Sequence, residues 1–133
     1  MATLVAAKAA SGIQPKGLRV GVNTVVSTYS VGAALSVGDV IQMVKVPAGA
    51  TVTYVAVSSG SGQGVVNVGD GVSTSRYMSS YLNSANAPLT PISTAYAPYT
   101  YSTDDTIDIT VSLVSTGAAT GGFNMVVIFS LDA

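Results

Sequence analysis

The sequence contains no cysteine, histidine, glutamate or tryptophan, and only 8% of its 133 residues are charged. Each absence removes a class of chemistry. Without cysteine there is no disulfide and no thiolate nucleophile or ligand. Without histidine, acid–base catalysis at neutral pH loses its commonest group, and Ser-His-Asp or Cys-His arrangements cannot be built. Six aspartates, three lysines, two arginines and seven tyrosines remain. A Ser–Lys dyad would have to use Lys8, Lys16 or Lys45. The first two lie in a terminal segment with little tendency to regular structure. Lys45 sits between Val44 and Val46 in a strand-like run, where a surface lysine is the plainer reading. The chain is therefore expected not to be an enzyme and to carry no cofactor.

Charge is scarce in both signs. Five basic residues against six acidic ones give a net charge of -1, which leaves no electrostatic footprint for nucleic acid or anionic lipid. Globular domains are typically about 25% charged. A surface this poor in charge must be covered by Ser, Thr, Asn and backbone, or be partly buried in an assembly. Apolar residues reach 48%, but they fall in short runs of Val and Ala. No stretch approaches the roughly 18 apolar residues of a membrane helix. Leu4 to Ala7 is far shorter than the roughly 7 to 15 residues of a signal-peptide core, and there is no N-glycosylation sequon, so an unexported origin is expected.

Residues 1–17 combine a weak helical tendency before Ser11 with Gly12, Pro15 and Gly17. They are expected to form a flexible N-terminal arm, either a frayed tail or a segment that docks on a neighbour. Residues 18–133 are expected to form one domain. From Leu18 to Val31 apolar residues alternate at Leu18, Val20 and Val22, then slip at Val25 and Val26, as a bulge or a loop between two strands would produce. Gly38 to Ser58 reads as a hairpin: Val40–Val46, a turn with Pro47 second and Gly49 fourth, then a second β-branched run. Asp70-Gly71 is a favoured tight-turn pair, and Arg76–Tyr81 suits another short strand. Residues 83–98 carry three prolines and read as a long connection with at most a short strand inside.

Two strands are marked most clearly. Ile107, Ile109, Val111 and Leu113 alternate without error against Thr106, Asp108, Thr110 and Ser112, so one face should be core and the other wet. Phe123, Met125, Val127, Phe129 and Leu131 share a face, and Val126 and Ile128 on the opposite face suggest a central strand. About eight short strands and no convincing helix predict an all-β protein, a β-sandwich. A jelly roll is favoured, because long connections suit strands that cross between sheets.

Few residues invite a functional reading. Asp104, Asp105 and Asp108 place three carboxylates within five residues, as a hard cation could use. No calcium-loop spacing accompanies them, so strand-entry turn and solvated face are preferred and no metal is expected. Gly60–Gly64 is too short for a phosphate-binding glycine loop. Tyr77, Tyr81, Tyr96, Tyr99 and Tyr101 could stack on sugars, or equally fill a core or an intersubunit contact. No catalytic, metal or cofactor residue is therefore assigned.

The succession VGDVIQMVKVPAGATVTYVAV, VNVGDGVSTSRYMSS and YTYSTDDTIDITVSLVSTGAATGGFNMVVIFSLD, over about residues 18–132, resembles the head decoration, or cement, proteins of tailed bacteriophages. The resemblance rests on a GD strand, a P-x-G turn, a G-D-G segment followed by Tyr, and a late D-x-I-x-I/V strand. It implies a jelly-roll subunit, a homotrimer, made in the host cytoplasm and bound to the major capsid protein. In the virion it would sit on the outer surface at capsomer junctions and reinforce them. The alternative is a carbohydrate-binding jelly roll of a phage fibre or tail.

Overall fold

Alternation at 123–131 has the expected result. β10 (Gly122–Leu131) lies between β2 (Gly21–Ser30) and β4 (Ala50–Ser59), antiparallel to both. Phe123, Met125, Val127 and Phe129 are fully buried on its inner face. In the facing sheet, β9 (Asp105–Leu113) lies between β3 (Val40–Val46) and β5 (Gly64–Asp70) and directs Ile107, Ile109 and Val111 into the same core. This computed structural model describes residues 3–6, 21–30, 35–59, 64–83, 87–91, 98–113 and 122–131. Among them there is no helix.

The remaining strands are β1 (Thr3–Val5), β6 (Met78–Asn83), β7 (Ala87–Pro91) and β8 (Tyr99–Thr100). One sheet runs β1-β3-β9-β5-β6; the other runs β2-β10-β4-β7, with β8 also paired to β4. The pairing is nested. β2 joins β10, β3 joins β9, β4 joins β7 and β8, and β5 joins β6, while β4–β10 and β5–β9 contacts complete the two sheets. A long hairpin rolled up in this way is a jelly roll, as expected.

Several local expectations are corrected. The turn after Val46 forms, but it joins two sheets, not two paired strands. β3 pairs with β1 and β9, and β4 with β10, β7 and β8. Pro47 is first in the turn, its carbonyl accepting from Ala50 N at 3.2 Å, which places Gly49 third with φ +87°. Turns of the unprimed types splay their flanking chains, and here the chain crosses the sandwich. Nothing lies within 4 Å of where a Gly49 Cβ would stand, so Gly49→Ala tests the backbone alone. It should cost about 1 kcal/mol in urea unfolding.

β2 is one unbroken strand, registered with β10 from Gly21↔Leu131 to Ser30↔Gly122. The slip at Val25–Val26 is neither bulge nor loop: Val25 points in at 5% exposure and Val26 points out at 56%. Val22 is also outward, at 75%. Of the N-terminal segment, Thr3–Val5 pairs in parallel with Val40–Gln42, and Ala6 is buried with its N–H donating to Gln42 O at 2.8 Å. The weak helical tendency there gives way to strand pairing. Residues 7–20, the loop 60–63 and Tyr96 lie outside the described residues.

Candidate functional site

The chemistry-bearing residues gather at one end of the sandwich, where β5 ends and β9 begins. Asp70 faces inward there, opposite Ile107 in register, and is 1% exposed. Its Oδ1 accepts from the backbone N–H of Val72 (3.0 Å) and Ser73 (2.8 Å). Its Oδ2 is ion-paired to Arg76 Nε and accepts from Tyr101 OH at 2.9 Å. The Tyr101 and Tyr77 hydroxyls lie 2.6 Å apart, both buried. The Arg76 guanidinium stacks 3.7 Å above the Tyr99 ring, which meets Tyr101 edge-on at 4.8 Å. Asp70-Gly71 is thus no two-residue turn. The carboxylate organises the whole β5–β6 connection, residues 71–77, which Tyr77 N closes by donating to Val68 O at 2.9 Å.

Burial alone would push Asp70 up, but Arg76, the Ser73 N–H, Tyr101 and the Val72 N–H together hold its carboxyl below the usual range. Burial pushes Tyr77 up to about 12, and burial together with Tyr77 and Asp70 raises Tyr101. Both phenols therefore remain protonated at neutral pH and act as donors. Every strong acceptor position on Asp70 is occupied from within the chain, so the arrangement serves as a lock on the loops.

The three clustered aspartates separate. Asp104 is exposed and accepts from Ala48 N at 2.8 Å, tying down the Pro47–Gly49 corner. Asp105 Oδ1 accepts from Thr106 N at 2.7 Å and Gly71 N at 3.3 Å. These are the turn roles expected at the entry to β9. Asp108 is a correction: it is 5% exposed, not on a wet face. Its cross-strand neighbour is Gly69, and the backbone of Ser73 and Thr74 fills the space where a side chain at Gly69 would stand. The loop therefore lies over that part of the sheet. Burial pushes Asp108 up to about 7; the Thr106 hydroxyl, donating at 2.7 Å, opposes this, and Asp105 and Asp70 add to it. Among the described residues no three carboxylates are placed to hold a cation.

Of the five tyrosines proposed as a sugar platform, Tyr77 and Tyr101 are buried and Tyr99 lies under Arg76. The core reading holds for these. The side chain of Tyr81 and all of Tyr96 fall outside the described residues. Lys45 is half-buried on β3, opposite Thr106.

A second feature, which the sequence did not single out, is the outer face of the β2–β10–β4 sheet. Register aligns Thr28, Asn124 and Ser58; then Val26, Val126 and Ala56; then Thr24, Ile128 and Tyr54. In the first rung Thr28 Oγ1 donates to Asn124 Oδ1 at 2.8 Å, and Asn124 Nδ2 donates to Ser58 Oγ at 3.3 Å. No charged residue occurs among these nine.

No protein-family model and no curated protein matches the chain. Three solved structures share its fold. A chain of the cyanophage Pam1 capsid asymmetric unit is 22% identical with a TM-score of 0.72, covering 90% of this chain and 92% of that one. A chain of the capsid of Ralstonia phage GP4 is 10% identical, again with a TM-score of 0.72, covering 98% of each. A chain from the acidic stable capsid structure of Helicobacter pylori bacteriophage KHP30 is 14% identical with a TM-score of 0.59, covering 87% and 92%.

Proposed function

We propose that this chain is a structural protein of a bacteriophage virion, a homotrimer that binds the outer surface of the capsid at capsomer junctions and stabilises it. The observation that carries this reading is the end-to-end likeness to chains of three phage capsids. Because coverage is nearly complete in both directions, each matched chain is itself a protein of about this size, not one domain of a larger subunit. The chain's own chemistry supports it. Its most elaborate polar cluster is spent on holding loops in place, and a cementing role needs only complementary contact repeated over many symmetric sites. Residues 1–17 would extend the attachment across a capsomer boundary.

The experiment uses virions of the encoding phage with this gene deleted. They should assemble, release DNA at a lower temperature than complete virions, and regain their stability when the purified protein is added back. Protein lacking residues 1–17 should fold and bind more weakly. Complete virions that do not contain the protein, or a deletion that leaves thermal DNA release unchanged, would overturn the proposal.

A further inference from the structure

We infer that β2 and the outer face of the β2–β10–β4 sheet form the contact through which copies of this chain associate, around a symmetry axis passing beside Val22 and Val26. This deepens the homotrimer component of the proposed function and rests on it.

Four observations lead there. The first is apolar exposure: Val22 is 75% and Val26 56% exposed, and half-buried Val126, Ile128 and Tyr54 continue the surface inward from them. The second is the polar groups between them. Thr28, Asn124 and Ser58 are bonded to one another across three strands, and Thr53 Oγ1 donates to Ile128 O at 3.2 Å. Polar groups already paired within the face lose little when water is removed, whereas unpaired ones would make covering it costly.

The third observation is the edge. Among the described residues only β10 pairs with β2, whose other side carries the unpaired N–H and C=O groups of a ten-residue strand. Edge strands are normally blunted by lysine, proline, a bulge or brevity. Gly21–Ser30 has no charged residue and no proline, and its ladder is unbroken. The fourth is size. Three strands at about 4.8 Å spacing and ten residues at about 3.3 Å make a plate of roughly 14 by 33 Å. That is on the order of 450 Å², about half of the roughly 800 Å² that each partner gives to a stable specific interface. The adjoining edge of β2 extends it towards that size.

The occupant follows from charge. A neutral, partly apolar plate excludes a partner that would bury an uncompensated charge against it. Rotational symmetry supplies a partner that meets this condition without further design, because the same uncharged residues face each other around the axis.

The test is the mass of the wild-type protein and of a V22K/V26K variant, measured by light scattering, with V72K as control. Val72 is 85% exposed on the loop after β5, away from the face. Both lysines would replace outward side chains, so circular dichroism should be unchanged. Wild type and V72K should be oligomers. V22K/V26K should be a monomer whose self-association is at least 100-fold weaker, and the β2 amides should lose hydrogen-exchange protection. An oligomer that survives V22K/V26K overturns the inference. It does so too if shell binding is lost at the same time, which would assign the face to the capsid protein, or if deleting residues 1–17 is what dissolves the oligomer. A wild-type monomer that nevertheless occupies virions removes the homotrimer reading itself and leaves the structural role standing.

Discussion

Asp70→Ala should lower the unfolding free energy by about 3 to 5 kcal/mol, the range expected when one member of a buried, hydrogen-bonded ion pair is removed. Four donors lose their acceptor at once: Arg76 Nε, Tyr101 OH and the N–H groups of Val72 and Ser73. Arg76, 19% exposed, would keep a half-desolvated charge over Tyr99 with nothing opposite it. Tyr101→Phe removes one donor from a group that keeps three, and should cost only about 1 to 2 kcal/mol. Urea titrations of the two variants give the comparison. Equal and small losses would show that the loops do not depend on the carboxylate. Because residues 71–77 are held by it, Asp70→Ala should also make the 71–77 loop a site of proteolytic cleavage, while β9 and β10 stay protected.

Asp108 should give the protein a pH dependence opposite to that of Asp70. Its folded-state value of about 7 lies above the ordinary 3.8, so between those two pH values the folded protein binds a proton that the unfolded chain has released. The resulting stability is fully present below about pH 4 and disappears as pH rises through 7, a change on the order of 4 kcal/mol from this group alone. Asp70, held below its ordinary value, contributes stability that is present above pH 4 and lost on further acidification. Maximal stability is therefore expected at mildly acidic pH, between about 4 and 6. Asp108→Asn keeps the shape and removes the titration. It should flatten the decline from pH 5 to pH 8 and be more stable than the parent at pH 8. A wild-type unfolding free energy that does not fall over that interval would refute the assignment.

The two central strands were legible because each buries one complete face: Ile107 to Val111 and Phe123 to Phe129 alternate with the pleat and admit one orientation. β2 was not. Valines stand at both parities in Val22, Val25 and Val26, so periodicity could not say which would be core, and the outward pair was read as inward or as a slip. The corner at Pro47–Gly49 was visible as a turn, yet a turn does not say which sheet receives the next strand; that depends on β9 and β10, some 60 to 80 residues later. Asp108 was misread for a similar reason. Its strand carries a polar outer row, but Gly69 on the neighbouring strand lets the backbone of Ser73 and Thr74 close over it, and nothing in the sequence near Asp108 reports that glycine. Asp70 was hidden inside a pair that is more often a simple turn. The outer sheet face escaped notice because, before the fold is known, apolar residues meant for a partner look the same as those meant for the core.

The pairing of β2 with β10 also sets a schedule for synthesis. β10 is the central strand of its sheet, and it is made from residues 122–131, nearly the last to leave the ribosome, while both of its partners, β2 and β4, have been waiting since residues 21–59. Until it arrives, the two flanking strands have no common neighbour and the inner face they share is open. A chain cut short before Gly122 therefore lacks the middle of a sheet, so truncated copies should be cleared as misfolded products and never compete with full-length ones for a place in an assembly.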